Sequence, residues 1–307
     1  MTAITGDARA NVAFYTTVLG MRLVKKTVNQ DDVAAYHLFY ADGRGSPGTD
    51  LTFFDWPQTP TNLPGIPSIG PIALRVGTAQ ALEWWASTFD RLEVRHAPPT
   101  RDGDRAWMSL TDPEGQRLEL AVDGGAPGGV AWEQSPVPPE FQVRGLYGAT
   151  LVSAQPKATT DLLVQLLGFR PRGERKLDDG GREYAFEVGE GGPGTEVRLQ
   201  LPANAPRARQ GKGGVHHVAF RVPDAAAQGE WRGRLASAGL RPTPIIDRFY
   251  FKSVYFREPG GNLFEIATDG PGFTADEPLE HLGDHLALPP FLESQRAQIE
   301  AALLPLD

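Results

Sequence analysis

The sequence predicts an α+β chain of four βαβββ modules, paired into two cupped, barrel-like domains. Two observations carry this. A turn signature followed by an alternating strand occurs four times: Pro47-Gly48-Thr49-Asp50-Leu51, Pro113-Glu114-Gly115-Gln116-Arg117-Leu118, Pro193-Gly194-Thr195-Glu196-Val197 and Pro259-Gly260-Gly261-Asn262-Leu263. The spacing repeats as well: Pro47 to Pro113 and Pro193 to Pro259 are each 66 residues, so the two halves are offset by 146. A fixed internal period of this kind marks a duplicated unit.

Each unit has the same order of elements. A short strand leads into an amphipathic helix, then alternating strands with the Pro turn before the last. The first helix is expected over 8–19, where Phe14, Val18 and Leu19 recur at helical spacing and Gly20 stands at the C-cap. The others are expected over 78–89, over 158–167 before Gly168, and over 225–238 before Gly239. Period-two stretches such as Tyr36-His37-Leu38-Phe39-Tyr40 and Leu51-Thr52-Phe53-Phe54 read as strands. Such a unit leaves a sheet edge open and one apolar face bare, so it must pair with another copy. The expected division is 1–124 for two modules, the first truncated at its start, 125–142 for a Gly- and Pro-rich linker, and 143–270 for two further modules. A tail, 271–307, is expected to pack back over the domains with a helix from Glu293 to Leu304.

Composition narrows the function. The chain has 307 residues, a net charge of −8 and no basic stripe, which argues against nucleic acid as a partner. No apolar run approaches the roughly 18 residues of a membrane span, and no charged head precedes an apolar core, so a cytoplasmic location is expected. Cysteine is absent, which excludes disulfides and thiol catalysis. His, Asp and Glu remain as metal donors, a set suited to Fe(II) or Mn(II).

Comparing the copies locates a candidate site. Six residues after the prolines stand Phe53, Glu119, Leu199 and Glu265. On the first strands, the residues matching His217 are Pro71, Gly148 and the position just before Met1. Copy four alone has both His217 and Glu265, two thirds of a 2-His-1-carboxylate set. The plainer reading is a surface or hydrogen-bonded core His and a Glu paired with Arg221 or Arg248. Glu119, with Pro71 opposite, reads as a solvated or hydrogen-bonded residue. His37 lies on a different strand and is not expected to act as a ligand. His281 and His285 share an i, i+4 spacing, but Gly283 weakens the helix that would align them.

Several segments carry a resemblance: Thr2-Ala3-Ile4-Thr5-Gly6-Asp7, Leu23-Val24-Lys25-Lys26-Thr27-Val28-Asn29-Gln30-Asp31-Asp32, Tyr36-His37-Leu38-Phe39-Tyr40, Gly45-Ser46-Pro47-Gly48-Thr49, Val215-His216-His217-Val218-Ala219-Phe220 and Leu288-Pro289-Pro290. Along its whole length the chain resembles the vicinal oxygen chelate superfamily of glyoxalase I, bleomycin-resistance proteins and extradiol dioxygenases. Within it, the chain looks most like the ring-cleaving dioxygenases that act on hydroquinones. The resemblance implies an Fe(II) enzyme, with Mn(II) as the second candidate, that inserts both atoms of O₂ into a hydroquinone- or catechol-type ring. It implies His217 and Glu265 as metal ligands, His216, Tyr255 and Arg248 as catalytic residues, and Arg248, Tyr255 and Thr2 as substrate contacts. Plainer roles are a salt bridge from Arg248 to Asp247 or Glu258 and a simple strand aromatic at Tyr255. The third ligand is expected just upstream of Met1, in a His-His pair, with the true start further upstream and Met1 in the place of an internal valine. Expected partners are a small aromatic substrate, O₂ and further copies in a homo-oligomer. The alternatives are a glyoxalase-type lyase or isomerase, and a metal-poor binding or resistance protein.

Overall fold

The four repeated turns share one backbone conformation. Gly48, Gly115, Gly194 and Gly261 have φ of 88°, 86°, 89° and 105°, a left-handed region that a side chain would disfavour. The computed structural model describes residues 1–306. The glycine follows the proline directly in copies one and three, and stands two residues after it in copies two and four.

Every module is βαβββ. Module one holds β1 (Thr2–Thr5), α1 (Ala8–Val12), β2 (Arg22–Asn29), β3 (Asp32–Ala41) and β4 (Leu51–Asp55). Module two holds β5 (Ser68–Val76), α2 (Ala79–Arg91), β6 (Thr100–Asp102), β7 (Arg105–Thr111) and β8 (Arg117–Val122). Module three holds β9 (Leu146–Val152), α3 (Pro156–Asp161), β10 (Arg170–Lys176), β11 (Arg182–Glu187) and β12 (Glu196–Leu201). Module four holds β13 (Gly214–Val222), α4 (Ala225–Ser237), β14 (Ile246–Asp247), β15 (Lys252–Arg257) and β16 (Leu263–Thr268).

Helix starts follow local chemistry. Asp7, Thr78 and Asp224 accept from the backbone N–H three residues on, at 2.9, 3.2 and 2.9 Å, the N-cap interaction. Module three uses Pro156 at the first turn instead. The expected helix over 8–19 is α1 followed by a π-helical segment, Ala13–Val18, and module three repeats this with Leu162–Leu166. The duplication thus extends to irregular backbone. In the tail, the helix expected from Glu293 to Leu304 narrows to α5 (Arg296–Ala302) behind one 3₁₀ turn.

Module pairing differs from the division by halves. One eight-stranded sheet runs β14-β15-β16-β13-β1-β4-β3-β2 and joins module four to module one. The other runs β10-β11-β12-β9-β5-β8-β7-β6 and joins module three to module two. Modules expected to pair within 1–124 and within 143–270 therefore pair across those halves. The physical reason is that all four first strands present the same kind of open edge, and either arrangement satisfies it. Here β1 meets β13 antiparallel, with Thr2 opposite His217, and β5 meets β9, with Ala73 opposite Gly148. The chain crosses between sheets twice, and the crossings bridge each other through Thr61 with Lys212 and Leu63 with Arg209. One contiguous core, including Tyr15, Trp85, Leu163 and Leu235, unites the modules.

Candidate metal centre

β13 and β16 run parallel, with Ala219 opposite Glu265. His217 lies two residues before Ala219 and so shares its face of the sheet. The two side chains meet: His217 Nε2 and Glu265 Oε2 are 2.8 Å apart, and both residues are 3% exposed. They border a cavity of about 410 Å³ whose wall also includes Met1, Thr2, His37 and Tyr255.

Glu265 Oε1 is buried and has no hydrogen-bond partner. An unpaired buried polar atom costs about 1–3 kcal/mol, so this oxygen is suited to a cation. Burial pushes the Glu265 carboxyl up, but the hydrogen bond and charge of His217 outweigh it and hold the group below its usual 4.5. An imidazole nitrogen and an ionised carboxylate with a free oxygen fit a divalent ion of intermediate hardness. Among the described residues, no group of three His, Cys, Asp or Glu side chains converges on one point.

The other anticipated residues divide. Tyr255 stands on the cavity wall, directly across β15–β16 from Glu265, its ring centroid 5.5 Å from that of His217. Thr2 also lines the cavity and accepts from Thr52 Oγ1 at 2.9 Å. Arg248 is bound neither to Asp247 nor to Glu258. Its guanidinium donates to both oxygens of Asp31, at 3.0 and 2.7 Å, and lies 5.8 Å from the Tyr255 ring. Glu258 is occupied inside its own turn by Gly260 and Asn262. Arg221 pairs with Asp269 at 2.8 Å, which leaves Glu265 to His217.

His216 sits beside His217, with Nδ1 atoms 2.8 Å apart, edge-on to the packed rings of Phe54 and Trp56. Burial, aided by the charge of His217, pushes it down to about 3 from 6.5, so the ring is neutral at physiological pH. An unfolded His takes a proton near 6.5 and this folded one near 3, so the unfolded state binds more protons between those values. This contribution to stability is lost as pH falls through that window. His216→Gln cannot titrate, so its stability relative to wild type is expected to improve from pH 6.5 to about 4, as read by urea unfolding at each pH.

Two residues were missed as cavity neighbours. His37 reaches the cavity from β3 and meets Thr52 Oγ1 at 3.0 Å; burial pushes its ring well below 6.5. Thr52 is the true counterpart of Glu265. Counting from the turn glycine instead of the proline gives Thr52, Glu119, Arg198 and Glu265, each four residues on. Strand register agrees, with these opposite Thr2, Ala73, Thr150 and Ala219. Phe53 and Leu199 are one residue out because their turns are one residue shorter, and both are core residues at 0% exposure.

Of the two readings of Glu119, the hydrogen-bonded one holds and the solvated one does not: the residue is buried, and its Oε2 accepts from Arg198 at 2.8 Å and Arg105 at 2.5 Å. In the second sheet the two positions equivalent to Thr52 and Glu265 hold Glu119 and Arg198, paired with each other. His281 lies on the surface and pairs with Asp284 at 3.0 Å.

The family model of the Glyoxalase/Bleomycin resistance protein/Dioxygenase superfamily matches residues 1–120 and 148–266. The chain is 44% identical to "Putative ring-cleaving dioxygenase MhqA" of Bacillus subtilis (strain 168), across 100% of this chain and 97% of that protein. It is 30% identical to the chlorohydroquinone/hydroquinone 1,2-dioxygenase of Sphingobium indicum, covering 97% and 93%. A crystal structure of a "putative dioxygenase" from Bacillus subtilis superposes with a TM-score of 0.91 at 37% identity, covering 100% and 96%.

Proposed function

The chain belongs to the Glyoxalase/Bleomycin resistance protein/Dioxygenase superfamily and is an enzyme of the ring-cleaving dioxygenase kind, and from that premise we propose that it opens hydroquinone- or catechol-type rings using Fe(II), inserting both atoms of O₂. His217 and Glu265 are the proposed ligands, and Mn(II) is the second metal they suit. The observation that supports this most directly is the unpartnered, buried Oε1 of Glu265 beside His217. When bound, the ion would hold the ring oxygen and O₂ side by side and let charge pass between them.

The remaining work falls to side chains. Burial, with the charge of Glu265, pushes the Tyr255 phenol up, so it stays protonated and can donate to the ring oxygen. Arg248, held in a fork by Asp31, is the proposed partner of the second hydroxyl. Thr2, paired across β1–β13 with His217, is a proposed substrate contact on the cavity wall. His216, with its Nδ1 2.8 Å from that of His217, is the proposed proton carrier, a role that requires the bound substrate to raise its basicity above the value of about 3 that burial imposes. Phe39, Phe54 and Phe251 give the cavity an apolar wall for an aromatic ring.

Oxygen uptake by anaerobically Fe(II)-loaded protein, measured against a panel of hydroquinones, tests the reading. One O₂ is expected per ring opened, with both atoms of labelled O₂ in the product. Turnover without O₂ uptake would instead indicate a glyoxalase-type lyase. Tyr255→Phe keeps the ring and loses the proton, so kcat is expected to fall about 100-fold, measured by the same uptake assay.

A further inference from the structure

The tail encloses a buried lysine. Lys25, on β2, has a fully buried side chain at 0% exposure. Its Nζ donates to Asp276 Oδ1 at 2.7 Å and also to Glu277. The other oxygen of Asp276 accepts from Tyr250 Oη at 2.7 Å, and Lys25 Nζ lies 4.7 Å from the Tyr250 ring centroid. Three distant segments of the chain therefore meet at one ammonium group.

Tyr250 belongs to the turn that carries Arg248. Phe249, at its centre, has φ of 67°, which is uncommon and strained for a residue with a bulky side chain. Arg248 N donates to Phe251 O at 2.8 Å, and Gly272 N donates to Tyr250 O at 2.8 Å. Gln30 Nε2 donates to Arg248 O at 2.8 Å. Phe251 and the tail residue Phe273 continue onto the cavity wall beside Phe39. A strained turn persists only where its surroundings hold it. A buried ion pair adds little net stability and is better suited to fixing geometry.

We propose that Lys25, Asp276 and Tyr250 form a positioning relay, in which the tail fixes the Arg248–Phe251 turn and so aims Arg248 at the substrate. The relay rests on the reading of Arg248 as a substrate contact. Tyr250 lines the cavity, whereas Lys25 and Asp276 do not, so Asp276→Asn is the variant that separates positioning from direct contact. Lys25 neutralises Asp276, Asp276 holds the Tyr250 hydroxyl, and Tyr250 holds the backbone of the turn.

Tyr250→Phe keeps the packed ring and removes only the bond to Asp276; Asp276→Asn is the second variant. The probe is methylhydroquinone, bound anaerobically and followed by tryptophan fluorescence, with KM and kcat measured separately in air. Expected in both variants is about a tenfold rise in Kd and KM, kcat within about twofold, and faster amide exchange over 248–251, with the unfolding midpoint unchanged in Tyr250→Phe and lowered in Asp276→Asn, which leaves the buried Lys25 with Glu277 alone. In an Arg248→Lys background, Tyr250→Phe should add little further. Unchanged Kd and KM in both variants, or full additivity with Arg248→Lys, overturns the relay. A wild type that binds methylhydroquinone but consumes no O₂ counts against the dioxygenase reading and leaves the relay standing on Kd. A wild type that binds no hydroquinone overturns both.

Discussion

Glu265→Gln is expected to lower ring-cleavage kcat/KM by at least about 100-fold, since even the outer partners of a metal ligand are worth 10–100-fold. Bound iron, measured by atomic absorption after gel filtration, should fall with it. Gln preserves the volume and one oxygen of a residue that is 3% exposed, so the fold should survive and the loss should be chemical. The charge is what disappears, and with it the anionic Oε1 that has no protein partner. Acid stability gives an independent readout. The folded Glu265 carboxyl lies below 4.5 because the bond and charge of His217 outweigh burial. Its contribution is therefore present above the unfolded value and lost as pH falls through the folded one, and the Gln variant should lack that part of the acid limb. His217→Ala should be worse for the fold, because it leaves Glu265 buried and uncompensated; losing one member of a buried pair costs about 3–5 kcal/mol. Retained activity and iron in Glu265→Gln would remove Glu265 from the centre.

The repeat was legible because turn glycines and cap residues are local. Asp7, Thr78 and Asp224 fix the starts of the helices in modules one, two and four, and Gly20, Gly168 and Gly239 follow those of modules one, three and four with φ of 65°, 76° and 81°. The residue-by-residue match was less legible. Alignment on prolines pointed to Phe53 and Leu199, whereas the left-handed glycine, not the proline, sets strand register. That signal was present in the sequence, since Gly48 and Gly194 directly follow their prolines while Gly115 and Gly261 come one later. Module pairing was not legible, because four similar strand edges carry no local mark of their partners. The same holds for Arg248 and Asp31, which are 217 residues apart. Lys25 left a trace: two adjacent lysines on one strand must face opposite sides. A bulge between Leu23 and Lys25 then let Val24 and Lys25 both be buried.

Glu119→Gln is expected to be the most destabilising conservative substitution in the second sheet, by about 3–5 kcal/mol, read as an earlier urea midpoint. The pseudo-symmetry explains why. Thr52 and Glu265 face the first cavity at the same register positions that Glu119 and Arg198 occupy in the second sheet. Where the first sheet leaves a carboxylate oxygen free, the second supplies a guanidinium, with Arg198 at 1% exposure and Arg105 as a second donor. Burial alone would push the Glu119 carboxyl up, and the charges of Arg198 and Arg105 outweigh it and keep the group below 4.5. Removing the charge leaves Arg198 buried among fewer acceptors, when its Nε and Nη1 already lack hydrogen-bond partners. Replacing both partners with apolar groups, as in Glu119→Leu with Arg198→Met, should recover most of the loss, because a buried ion pair and a packed apolar pair are often close in energy. Iron content and turnover per folded molecule should stay unchanged in all of these variants, since the proposed ligands lie in the other sheet. Loss of iron in Glu119→Gln at a temperature where the protein remains folded would show that the two sheets are not independent in this way.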